Sequence, residues 1–192
     1  MKLIYFFLLI LSLSLVNCKD KISTKPESSA EIQQKLRQSK EVLTKRKSEN
    51  HHIFGYKTKE EAIISFMNEL VGARLEIINF KSILNDKEKD LIFFPNIYGE
   101  NTALDVTPLE DYKFTFNRLE ELGIKRLREH RLQLSDLKSM KIIWKSSRPY
   151  GNLTIYKVGR IEIIKKGSPI EITQIKSVIE QNGKFKVAVV AP

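Results

Sequence analysis

The chain has 192 residues, a formal net charge of +10, 42% hydrophobic and 29% charged residues, and a single cysteine. That size and composition suit one globular domain, and a lone cysteine excludes an internal disulfide, so the fold must rest on its core. The positive charge is uneven: residues 19–59 carry 11 Lys or Arg against 5 Asp or Glu, and residues 60–192 carry 21 against 18. With so little excess on the domain, no nucleic-acid partner is expected.

At the start, Lys2 precedes fourteen apolar or hydroxyl residues, Leu3 through Val16, which are followed by Asn17 and Cys18. A helix that crosses a bilayer takes about 20 residues, so this run has the length of a signal-peptide core. A cysteine that closes such a run after Leu15, Val16 and Asn17 resembles the lipobox of bacterial lipoproteins. The resemblance implies that residues 1–17 are removed and that the Cys18 thiol is acylated. The mature chain is then exported and held by membrane lipid in the cell envelope, at the outer membrane or cell surface rather than the inner membrane. Asn17 departs from the small residue usual before the cysteine. A plain secretory signal cut after Ser14 and an uncleaved anchor are the alternatives.

Residues 18–57 are rich in Ser, Lys, Gln and Glu, and are read as a basic flexible tether. Lysines beside a lipid anchor suit an anionic leaflet, a solvated tether being the plainer alternative. Ile32, Leu36 and Leu43 form a thin stripe that suits a helix against a partner. The globular domain is expected over residues 58–192. Thr58 and Glu61 have capping-box spacing, and Ile63, Phe66, Met67, Leu70 and Val71 predict a helix that continues through Leu75 and Ile78. Charged residues 85–90 end it. Residues 91–95, all apolar, read as a short buried strand or a packed loop. Thr107, Pro108 and Glu110 then open a second helix through Leu109, Tyr112, Phe116 and Leu119, with Gly123 as its stop.

From Met140 onward, β-branched runs alternate with turn residues. Strands are expected over residues 142–144, 153–158, 161–164, 170–179 and 185–190, with Gly159 in a turn and Asn182–Gly183 as a tight hairpin. Helices followed by a meander make an α+β domain, helices covering one face of a curved antiparallel sheet of four to five strands. That order resembles the cystatin-like and nuclear-transport-factor-like superfamily, which implies a conical sheet able to enclose a pocket.

Signals for chemistry are sparse. His51 and His52 lie in the tether and His130 is distant, so no metal site is expected, and neither a nucleophile elbow nor a phosphate loop is present. No cofactor is implied. The Asn152 sequon carries little weight in a bacterial lipoprotein. Two clusters stand as candidate binding residues: Lys125, Arg126, Arg128 and Arg131, with His130 among them, for an acidic protein or glycan; and Trp144, Arg148 and Tyr150, with Tyr156, a cation among aromatics near a turn. The leading expectation is an envelope binding module. The rivals are a pocket enzyme that uses His130 for proton transfer and a structural envelope-assembly protein.

Overall fold

The computed structural model describes residues 28–73 and 80–192. The leader, Cys18 and residues 74–79 lie outside them. Helices precede a five-stranded antiparallel sheet that stays open, so the domain is α+β.

The first helix, α1, is Ser29–Lys47. Its start is capped by Ser28, whose hydroxyl accepts from the Glu31 N–H while its own N–H donates to the Glu31 carboxylate. The compact body runs from Gln33 to Pro192, which corrects the reading of residues 18–57 as a flexible tether in its second half. Leu43 is fully buried in a cluster with Ile53, Leu84 and Phe93. Ser39 Oγ accepts from the Leu109 N–H at 2.9 Å, and the Ile53 N–H donates to Gln181 Oε1 at 3.0 Å. The segment is polar because most of α1 faces water; a few well-aimed side chains suffice to dock it, a buried Leu contributing about 2 kcal/mol.

Helix α2, Lys59–Gly72, starts as its sequence suggests, with Thr58 accepting from the Glu61 N–H; the Glu61 carboxylate reaches back to the Lys57 N–H, one residue before the cap. It closes at Gly72, with Ala73 already extended. The continuation expected through Leu75 and Ile78 falls on residues outside those described.

Residues 91–95 are neither strand nor loop. A helical segment, α3, opens as Asp86–Glu88, widens into a π-turn over Lys89–Phe93 and ends as Phe94–Ile97. Asn85 and Glu88 form its capping box, and Ile92 through Ile97 are all buried, the pattern of a helix enclosed on every side. Pro95 accounts for the wide turn: it has no N–H to give, and its ring crowds the carbonyl four residues earlier.

Helix α4, Leu109–Glu129, runs through Gly123. Its first N–H is satisfied by Ser39 of α1 and not by Thr107, so the expected capping box is absent. Gly123 serves packing and not termination: a Cβ there would lie 2.7 Å from the backbone of Ala191. Leu119, expected on the inner face, is 43% exposed, and Glu120 takes the inward position.

The strands are β1 Lys141–Tyr150, β2 Leu153–Lys165, β3 Ser168–Ile172, β4 Ile175–Gln181 and β5 Lys184–Val190. Gly159 is not a turn. It sits within the long β2, where the register with β1 slips, and a Cβ would meet the Ile143 carbonyl at 3.1 Å. The run expected over residues 170–179 is two strands, β3 and β4, which pair in succession with the same β2. Asn182 and Gly183 both have positive φ, 53° and 72°, as a tight hairpin turn requires. In β4 and β5, Val178 and Val187 join a core with α2, while Ile179 and Ala188 join a second core with α1 and α3. Helices therefore cover both faces of these strands, not one.

Candidate functional site

The structure keeps part of each sequence cluster together: Arg128 and Arg131 line one hollow with Leu127 and Leu132, and Arg148 stays beside Tyr150. Lys125 and Arg126 are exposed on the closing turns of α4. Arg128 turns toward the Phe80 ring, 5.9 Å from its centroid, and Arg131 follows the helix with φ 47°. The His130 carbonyl accepts from Lys165 Nζ. In the second cluster, Arg148 stacks over Tyr150 at 5.0 Å and lies 3.9 Å from Glu100. Trp144 keeps only Tyr156 of that cluster beside it, the rings 6.3 Å apart; it packs with the α2 core, whereas Tyr150 packs with the α3 core. Its indole N–H donates to Glu60 at 3.0 Å, and Lys59 Nζ sits 4.6 Å from its ring and 4.9 Å from that of Tyr156. Lys59 is already seated between those two rings.

A different group of residues converges where α3, α4 and β5 meet. The capping box at Asn85 turns Glu88 inward, and the π-turn that follows carries Lys89 inward beside it. Both are buried, as are Glu120 of α4 and Lys186 of β5. Lys186 Nζ donates to both Glu88 oxygens, at 2.9 and 2.7 Å. Lys89 Nζ donates to Glu120 Oε1 at 2.8 Å and to Asn117 Oδ1 at 3.4 Å, with Asp86 Oδ1 at 3.5 Å. Outside these pairs, Lys113 meets Asp90 at 3.0 Å. Charges taken out of water at several kcal/mol per ion are retained only with close partners, and π-turns recur at functional sites.

The Lys89–Glu120 pair faces a cleft of about 860 Å³ with an apolar floor of Phe80, Ile83 and Leu84, and with Asn85, Asn117 and Glu121 also among its sides. A second hollow of about 510 Å³, bounded by Phe54, Tyr56 and Lys186, shares Phe80 and Asn85 with it. Phe54 is 85% exposed at that margin. An apolar floor with a few convergent polar groups is the make-up of small-ligand sites.

Glu120 is the unusual member. It is only 8% exposed, and among the described residues its Oε2 has no hydrogen-bond partner. Burial raises its pKa above the ordinary 4.5; Lys89 opposes the rise, and Asp86 and Glu121 add to it. The carboxylate is thus under-compensated despite its lysine. Among the described residues no group of three or more His, Cys, Asp or Glu is placed to hold a metal ion.

The cleft residues were missed in the sequence, though one signal was present. Glu120 lies four residues after Phe116 and four before Ile124, on the apolar stripe of α4, where a carboxylate has a reason to be. Glu88 and Lys89 gave no such sign, because residues 85–90 read as a solvated charged break.

The chain matches no protein-family model, no curated protein and no solved structure.

Proposed function

We propose that this chain is a lipid-anchored binding protein of the bacterial cell envelope, and that it takes a small polar ligand in the cleft between α3 and α4. The observation that carries this reading is the cleft itself: apolar Phe80, Ile83 and Leu84 beside two buried charged side chains, Lys89 and Glu120, the latter with an oxygen unpartnered among the described residues. The lipobox-like Cys18 supports the location. His130, the residue the enzyme alternative needs, borders neither hollow. The exposed Lys125 and Arg126 are read as solvated surface.

Equilibrium dialysis of the mature chain against a panel of envelope small molecules tests the site, with Asn117→Trp as a variant whose cleft is filled. The panel holds amines, dicarboxylates, neutral sugars and muropeptides. The expected result is saturable binding of at least one compound to the parent chain and its loss in a folded Asn117→Trp variant. Binding of none, or binding indifferent to Asn117→Trp, would contradict the reading. In the same experiment series, Cys18→Ser should move the protein from the detergent-soluble membrane fraction to the aqueous one, or stall it as a precursor.

A further inference from the structure

Resting on the cleft reading, we infer that the ligand carries a primary ammonium group on an aliphatic stem, and that Glu120 is the carboxylate that receives it. Three features of the cleft point to this chemistry. First, the charges at its sides do not balance: Asp86, Glu120 and Glu121 stand against Lys87 and Lys89, a local negative excess in a chain whose formal charge is +10. A ligand attracted there is a cation.

Second, the deepest carboxylate is half used. Lys89 takes Oε1 of Glu120 at 2.8 Å, while Oε2 accepts nothing among the described residues. An unsatisfied buried oxygen of a charged group costs more than a neutral one, so a donor that reaches it gains correspondingly. The oxygen is shielded from bulk water, yet the terminal torsion of Glu is broad and two-fold, so the carboxylate can swing toward the cleft without leaving its rotamer. The raised pKa points the same way: burial disfavours the charged form and Lys89 does not fully offset it, so a proton or an ammonium is favoured there.

Third, the floor is apolar. Phe80, Ile83 and Leu84 offer nothing to a second charge, but they suit methylene groups. The volume, about 860 Å³, exceeds what a bare ion needs. A metal ion would also need several oxygen ligands around it. An alkylamine satisfies all three features, whether as a free diamine or as the side-chain amine of a short peptide.

The test uses the folded mature chain in isothermal titration calorimetry with four probes of similar length: 1,5-diaminopentane, acetyl-lysine amide, glutarate and 1-pentanol. The two amines are expected to bind, and their difference identifies the source, a free amine or an amino-acid side chain. Glutarate and 1-pentanol should bind at least tenfold more weakly. Glu120→Gln, which keeps the shape and removes the charge, should weaken the amines about 10-fold or more. Since Glu120→Gln also removes the partner of Lys89, Glu121→Lys at the exposed margin provides a second variant; it should weaken the amines and leave 1-pentanol unchanged. Amine binding no stronger than that of 1-pentanol, or insensitive to both variants, would overturn the inference. Glutarate or a sugar that binds in the parent chain and is lost in Asn117→Trp would overturn it too, while leaving the cleft as the binding site.

Discussion

Lys89 and Lys186, set against Lys59, show how one residue type is held in two different surroundings. The first two are almost fully buried and sit within 2.9 Å of a carboxylate, on residues that α3, α4 and β5 bring together. Lys59, with 29% of its side chain exposed, is held between the rings of Trp144 and Tyr156 and lies 4.0 Å from Glu60. A desolvated ammonium needs a full counter-charge, because several kcal/mol of hydration are lost. A partly wet one keeps most of its water, and ring faces then add only about 0.5–1 kcal/mol. The cleft is therefore the place where the chain has accepted a large cost, and such a cost calls for a function or a tight structural requirement.

Separating the members of the buried pair should give the largest effect. Glu88→Ala leaves Lys186 uncompensated and should cost about 3–5 kcal/mol in urea unfolding. Replacing both partners with Met should recover most of that loss, since an apolar pair of similar volume needs no counter-charge. A double variant as unstable as Glu88→Ala would mean that the pair's packing, and not its electrostatics, dominates. The surface site should respond much less. Lys59→Ala is expected to cost at most about 1 kcal/mol by the same measurement, and a cost comparable to that of Glu88→Ala would erase the distinction between the two regions.

The same contrast explains what could be read from the sequence. Elements set by local rules were legible: the Thr58 cap, the Asn182–Gly183 hairpin and the β-branched character from Met140 onward. The α+β class followed from their order. Features set by distant partners were not. The first turn of α4 is completed by Ser39, 70 residues earlier in the chain, and no local pattern announces that. Leu43 docks a segment whose composition is that of a linker. Gly159 and Gly123 carry the signature of a turn and a stop, yet both serve close backbone approach, which sequence spacing does not separate from chain reversal. The candidate site was the least legible part, because its residues come from three elements and Glu88, Lys89 and Lys186 look solvated one at a time; only Glu120, on the apolar stripe of α4, stands out. The resemblance to conical-sheet proteins drew attention to a pocket inside the sheet, whereas the cleft lies between the start of α3 and the middle of α4.

The under-compensated carboxylate is the account's central claim, and it is open to direct measurement. In carbon-detected NMR the side-chain carboxyl of Glu120 should titrate above its ordinary value of 4.5, because burial outweighs Lys89, with Asp86 and Glu121 adding to the rise. The linkage has a definite sign: with the folded pKa raised, the stability tied to this group is fully present below the unfolded value and is lost as pH rises through the folded one. After burial, Lys89 and Asp86 from α3 and Glu121 from α4 are the charged groups that act on it. Saturating 1,5-diaminopentane should lower it, as a bound ammonium favours the ionised form. A Glu120 carboxyl that titrates at or below 4.5, unmoved by the amine, would contradict the account.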